Sequence, residues 1–255
     1  MRALSPLLCC CCCALSLACA HQASDPDATK GPGTTADAAP DTAGSSASAT
    51  PGINDRYLDD DAVDKWTKVF EQERRDVISH RDEIVAALEL EPGMAVADIG
   101  AGTGAFVEPI ARGVGPEGKV YAVDIIPDFL ARLRGRAAEA QLDWVEVVEA
   151  TPQSPALAPA SVDLLFLCDV YHHLEYPSVY LRGLREALRP GGRMIIIDFD
   201  KIPGKTSAGM MKHVRQDQAT LLAEVRAEGF ELAREIDSVP LKENYMLEFV
   251  VAPSS

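Results

Sequence analysis

Three groups of side chains in this sequence have the types and spacing to do chemistry. The first is Asp98-Ile99-Gly100-Ala101-Gly102-Thr103-Gly104, where glycine recurs at alternate positions directly after an apolar run. Backbone without Cβ atoms turns tightly and lets a ligand approach closely. The N–H groups of a following helix would face that turn and suit a carboxylate or a phosphate. The second is Asp124, twenty residues beyond Gly104 at the end of another apolar run. A carboxylate at that spacing sits beside a ribose whose hydroxyls need an acceptor. Glycine turn and acid together imply a nucleoside-containing cofactor. Gly100-x-Gly102-x-x-Ala105 also satisfies the dinucleotide fingerprint, so that segment alone leaves a nicotinamide cofactor open. Asp98 argues against it: an acid two residues before the first glycine would repel a pyrophosphate but can accept from an ammonium.

The third group is Asp169, His172 and His173, which follow the apolar run Val162 to Cys168. Open α/β sheets bind their ligands at the C-terminal ends of such strands. Either histidine could take a proton, Asp169 could orient a substrate, and Tyr171 could border an acceptor pocket. The competing reading for each histidine is a residue that caps the next helix or packs on the sheet. His80 and His213 have no partner in the sequence pattern and read as surface or packing residues. Cys168 reads as a small buried hydrophobe. Neither Asp59-Asp60-Asp61 nor His172-His173 has the ligand spacing of a zinc or EF-hand site, so no metal is expected.

These residues need elements to hold them. The pattern predicts strands at Ala95 to Ile99, Lys119 to Ile125, Trp144 to Val148, Val162 to Cys168 and Arg193 to Asp198. Helical spacing falls between them, at Phe106 to Gly113, Asp128 to Ala140 and Pro177 to Leu188. Gln218 to Glu228 reads as another helix, and Phe230 to Asp237 with Tyr245 to Val251 as a terminal antiparallel pair. Apolar residues between Ala62 and Leu90 predict two helices ahead of the sheet, separated by the charged stretch Glu71 to Asp76. Strands alternating with helices imply a parallel sheet covered on both faces.

Composition restricts the partners. In 255 residues, 24 Lys plus Arg face 39 Asp plus Glu, a net charge of -15 that would repel a nucleic-acid backbone. Hydrophobic residues at 47% and charged residues at 25% fit a soluble globular domain and argue against both wholesale disorder and many membrane spans. Six of the seven cysteines lie in the first nineteen residues, which excludes a disulfide framework in the folded part. There, Arg2 precedes an uncharged run from Ala3 to Ala20, the pattern of an export signal over residues 1–20. Two cleavage readings stay open. Ala18-Cys19-Ala20 is a small-x-small site, and Leu17-Ala18-Cys19 resembles the end of a lipoprotein signal that would leave Cys19 lipidated. Residues 21–54 are expected to be a disordered linker, since the stretch to Thr50 has no aromatic and no large aliphatic side chain. The exported protein would then be periplasmic, or membrane-bound only through a lipid at Cys19; the oligomeric state is not legible.

With the motifs in this order, residues from about Trp66 to Val251 resemble the class I S-adenosylmethionine-dependent methyltransferases, in their type 11, ubiquinone-biosynthesis-like branch. Val96 to Gly104 resembles their first motif and Val120 to Asp124 their ribose-binding acid strand. Asp169-Val170-Tyr171-His172-His173-Leu174 resembles the loop behind the fourth strand, and Leu188-Arg189-Pro190-Gly191-Gly192-Arg193 the approach to the fifth. The resemblance implies a Rossmann-like, doubly wound seven-stranded α/β sheet over residues 55–255. That sheet would be mostly parallel, with a C-terminal antiparallel strand and N-terminal helices ahead of it. It implies S-adenosyl-L-methionine as cofactor and a small-molecule methyl acceptor. Asp98 would face the methionine ammonium, and Gly100, Ala101, Gly102 and Gly104 would border the methionyl part. Asp124 and Ile125 would lie at the ribose, Asp169 at the methionyl end, and Thr151 at the adenine in place of the family's usual Asp. Of the catalytic candidates, His173 is the more characteristic histidine of the pair. Two alternatives remain: a noncatalytic ligand-binding lipoprotein on the same scaffold, and an NAD-dependent oxidoreductase.

Overall fold

The computed structural model describes residues 47–59, 62–204 and 206–253. The export signal, Cys19 and most of the expected linker lie outside the described residues. A 3₁₀ turn at Asp55–Tyr57 leads into helices α1 (Ala62–Phe70), α2 (Asp76–Ser79) and α3 (Arg81–Ala87). Strands and helices then alternate as β1 (Ala95–Ile99), α4 (Val107–Val114), β2 (Lys119–Asp124), α5 (Pro127–Glu139) and β3 (Val145–Glu149). After β4 (Val162–Cys168) come a 3₁₀ turn at Tyr171–His173, α6 (Pro177–Ala187) and β5 (Leu188–Phe199). Helices α7 (Ala208–His213) and α8 (Gln218–Ala227) precede β6 (Phe230–Glu235) and β7 (Asn244–Val251).

The strands form one seven-stranded sheet in the order β3-β2-β1-β4-β5-β7-β6. Neighbours from β3 through β5 pair parallel, while β7 runs antiparallel to both β5 and β6. The chain winds outward from β1 to β3 and then returns to add β4 on the other side of β1. Such a reversal opens a crevice at the C-terminal ends of β1 and β4, where the loops diverge. Successive strand residues face opposite sides of the sheet. Ala97, Ile99, Leu165, Leu167 and Ile196 pack with Leu181, Leu184, Leu221 and Val225 of α6 and α8. Val96, Leu164, Phe166, Ile195 and Ile197 pack with Ile84, Ile110 and Leu133 of α3, α4 and α5. Burial on both faces is why the strands read as unbroken apolar runs. Pro127 and Pro177 begin α5 and α6, where a missing N–H costs nothing.

Four features differ from the sequence expectation. The segment before the sheet holds three helices rather than two, because Arg75 leaves the helical path and α2 and α3 meet at a bend at His80. Strand β5 starts at Leu188: Leu188 pairs with Val162 and Arg193 with Leu164, so residues 189–192 bulge from the ladder, with Gly191 at φ 82°. Helix α7 has no counterpart in the periodic reading, since none of its residues is buried; the Ser207 hydroxyl caps it by accepting from the Met210 N–H. Finally, the linker expected through residue 54 ends earlier. The Ala49 N–H donates to the Glu175 carbonyl at 2.7 Å, and Asn54 Nδ2 to the His173 carbonyl at 3.2 Å. Polar side chains bind this segment to the domain, where the expectation had considered only apolar burial.

Candidate active site at the switch point

Each of Gly100, Gly102 and Gly104 has positive φ, and each has a different neighbour. A Cβ on Gly100 would stand 2.2 Å from Val170, and one on Gly104 would stand 2.9 Å from Leu133, so both are required by packing. A Cβ on Gly102 would meet nothing nearer than the Gly100 carbonyl at 3.8 Å. The open space over Gly102 is the start of a cavity of about 270 Å³ at the C-terminal edge of the sheet. Gly100, Gly102, Asp124, Ile125, Phe129 and Thr151 line one end of it. Gly104 and Ala101 do not line it: Ala101 donates its N–H to the Val123 carbonyl and packs on the α4 side. Their part is to shape the turn.

Asp124 organises the turn from below. Its Oδ2 accepts from the Gly102 N–H at 2.7 Å, and its Oδ1 from the Ile125 and Ile126 N–H groups at 2.8 and 2.9 Å. Burial pushes its carboxyl upward and these three donors pull it back. Asp98, equally buried, has no hydrogen-bond donor among the described residues. Burial, with the Asp124 charge adding to it, pushes the Asp98 carboxyl up to about 8. Asp98 lies one residue below the lining, which begins at Ile99. Thr151 and Pro152 form the rim at the β3 end.

The other end of the cavity is roofed by the N-terminal segment and lined with rings. Tyr57 packs edge-on against Trp66 at 4.9 Å and lies 5.5 Å from the His173 ring. Asp169 lines the cavity, but its carboxylate is engaged: Arg75 Nη2 donates to Oδ2 and Asn244 Nδ2 to Oδ1, both at 2.5 Å. Burial pushes it up to about 6 and Arg75 draws it down. This geometry makes Asp169, at φ 54°, an anchor that ties the segment before α2 to the end of β4. Tyr171 turns away from the cavity into the core and donates to Glu224 at 2.8 Å, so it borders no acceptor pocket.

His172 and His173 both line the cavity. His172 is buried. Its Nδ1 lies 2.7 Å from Asp198 Oδ1, and its backbone N–H donates to Oδ2 at 3.0 Å. The carboxylate fixes a proton on Nδ1 and leaves a lone pair on Nε2. His173 sets its Nδ1 3.1 Å from Asn54 Oδ1 and its Nε2 3.4 Å from the Tyr57 hydroxyl. Burial first, then His172, His213 and Arg56, push His173 down to about 2. So weak a base suits orienting an acceptor better than taking its proton. His213, read from sequence as a surface or packing residue, also lines the cavity; burial, then His172 and Arg56, bring it down to about 4. Forty residues separate it from His173, so spacing gave no signal, and only the placement of α7 brings it in.

Comparison with known proteins shows a family likeness and a shared fold. Residues 97–196 match the family model described as a methyltransferase domain. The ubiquinone/menaquinone biosynthesis C-methyltransferase of Hahella chejuensis is 31% identical over 110 residues, covering 43% of this chain and 44% of that protein. The ubiquinone biosynthesis O-methyltransferase of Xanthomonas campestris pv. campestris is 30% identical over 125 residues, covering 48% and 50%. The chain thus spans about half the length of these curated relatives. Among solved structures, a SAM-dependent methyltransferase from Aquifex aeolicus superposes with a TM-score of 0.66 at 22% identity, over 74% of this chain and 98% of that one.

Proposed function

We propose that the chain carries a methyltransferase domain of the class I, type 11 branch and that the protein transfers a methyl group from S-adenosylmethionine to a small-molecule acceptor. The observation that carries this reading is the single cavity running from Gly102 and Asp124 to the rings of His172, His173 and His213. The residues at its first end fit the cofactor. Gly102 offers backbone a ligand can approach, and Asp124 has lone pairs left for ribose hydroxyls. Asp98, one residue below the lining, is a buried carboxyl without a donor that would serve as counter-charge to the ligand's ammonium. S-adenosylmethionine supplies an electrophilic methyl on a sulfonium.

What the chain contributes is alignment, since an in-line displacement gains most from holding the reacting groups in register. The aromatic roof of Tyr57, Trp66 and Phe70 excludes water from the acceptor end. His173 and His213 are uncharged at neutral pH, so neither repels a sulfonium, and their nitrogens can orient a polar acceptor. The proposal includes export: Arg2 followed by the uncharged run Ala3 to Ala20 supports a cleaved signal, with Cys19 as the lipidation site in one of its two forms.

The test is incubation with methyl-labelled S-adenosylmethionine and the small-molecule fraction of a cell extract, followed by mass spectrometry. Labelled product is expected from the wild type. Gly102→Val is expected to lose both calorimetric cofactor binding and labelling, because its side chain would fill the approach at positive φ. Binding without any labelled product would favour a noncatalytic ligand-binding role. Tight NADH binding in place of S-adenosylmethionine would overturn the cofactor assignment.

A further inference from the structure

His172, His173 and His213 each place a ring nitrogen within 4.8 Å of the other two. Their ring centroids form a near-regular triangle with sides of 4.3, 5.0 and 5.0 Å. We propose that these three side chains bind a divalent transition-metal ion of the zinc type at the acceptor end of the cavity. Three protein nitrogens and one open position make the ligand set of a catalytic rather than a structural zinc site.

The surroundings prepare the rings for this role. A histidine ligand ordinarily donates its second N–H to a carboxylate or carbonyl, which fixes the tautomer and aims the other nitrogen. Asp198 does this for His172, and Asn54 Oδ1 accepts from Nδ1 of His173 in the same way, with His173 Nε2 3.4 Å from the Tyr57 hydroxyl, a contact that the ion would replace. Nε2 of His172 has no hydrogen-bond partner among the described residues, although only 2% of the side chain is exposed. On His213, Arg56 Nη2 approaches Nδ1 at 3.4 Å; a guanidinium only donates, so Nδ1 accepts and Nε2 carries the proton. Loading requires Arg56 to leave Nδ1, so that the proton can pass there and free Nε2. Arg56 is a cation that acts on both His173 and His213, and its contact with His213 is exposed. Ligand nitrogens about 2.0–2.1 Å from a tetrahedral ion lie roughly 3.3 Å apart, so the rings close by at most about 1.5 Å on loading. Imidazoles without an oxygen ligand select zinc, nickel, cobalt or copper over magnesium and calcium. All three rings line the cavity, so the open position faces the space assigned to the acceptor and takes an oxygen or nitrogen donor there.

Cobalt(II) is the probe, added to the full chain without S-adenosylmethionine so that the result does not depend on methyl transfer. The expected result is one equivalent bound per chain, with the visible absorption of a four- or five-coordinate ion, displaced by zinc. His213→Ala, a change at a half-buried ring, is expected to weaken cobalt binding by about 100-fold or more with the thermal midpoint kept. Asp198→Asn, which keeps the three ligands and weakens the aim of His172, is expected to cost about 10–100-fold. A spectrum of the hydrated ion only, or equal affinity in wild type and His213→Ala, would overturn the proposal. The midpoint confirms that each variant is folded.

Discussion

Asp98 and Asp124 end neighbouring strands, and their environments differ in one respect that matters for pH. Asp124 has three backbone N–H donors, whereas Asp98 has none, so burial acts on Asp98 almost unopposed. Its ordinary value is 3.8 and its folded value about 8. Between those two pH values the unfolded chain has lost the proton that the folded chain keeps, and stability falls as pH rises. The contribution of Asp98 is therefore full below about 3.8 and gone above about 8. His173 and His213 are shifted the other way: the unfolded chain binds more protons, so their effect is a gain in stability that grows as pH rises and is complete about one unit above 6.5. Asp98→Asn keeps both histidines, so the difference between the two proteins from pH 6.5 to 8 isolates this acid. Over that window cofactor-free wild type is expected to lose roughly 4 °C of thermal midpoint relative to Asp98→Asn. Parallel curves for the two proteins would show that Asp98 already has a partner. A ligand ammonium would restore the charge, so S-adenosylmethionine binding at pH 7 should release a proton, visible as a buffer-dependent enthalpy.

At the scale of elements, what the sequence revealed followed the sheet. Ala95–Ile99 and Val162–Cys168 coincide with their apolar runs because burial on both faces keeps both strands almost wholly apolar, with Asp98 and Asp163 their sole charged members. The glycine turn and Asp124 were legible for a related reason: the local backbone requires those residue types. The acceptor end was not, because its parts arrive from separate elements. Tyr57 comes from a 3₁₀ turn, Phe70 from α1 and His213 from α7, and no local pattern links them. What joins the first of these elements to the sheet is Arg75. Its guanidinium donates to Asp169 at 2.5 Å and to the Phe70 carbonyl at 2.9 Å, and lies 5.3 Å from the Phe70 ring centroid. Arg75→Met keeps the stem and removes the charge, leaving Asp169 buried with Asn244 alone. Since that carboxyl can take up a proton, the loss is expected at about 2 kcal/mol rather than the larger cost of a stranded charge. Urea denaturation at pH 7 measures it, and a midpoint unchanged from wild type would mean that α1 is held by its rings alone.

For the molecule as a whole, the question is how much of the chain the fold needs at its N-terminus. Residues 21–46 contain no aromatic and no large aliphatic side chain, so they have little apolar surface to bury. From residue 47 onward the chain is committed to the domain. Ser48 and Ala49 bond to Glu175, Asn54 bonds to both His173 and Glu175, and the Tyr57 ring is 8% exposed among Trp66, Phe70 and Phe129. The boundary therefore falls between two truncations that differ by fifteen residues. Removing residues 1–46 is expected to leave the thermal midpoint within about 1 °C, and to preserve the added stability that a saturating ligand gives, about 2.7 kcal/mol at 100 times its Kd. Removing residues 1–61 takes away the Tyr57 ring and uncovers Trp66 and His173. Loss of one large buried aromatic costs about 3–5 kcal/mol, or roughly 10 °C for a domain of this size. It also opens the acceptor end to water, so S-adenosylmethionine stabilisation should shrink along with the midpoint. Differential scanning calorimetry of the three lengths, with and without cofactor, decides between these outcomes. If the shorter deletion already abolishes cooperative unfolding, the domain extends upstream of residue 47. If the longer one melts like the full chain, the roof contributes nothing to stability and the cavity is open in solution.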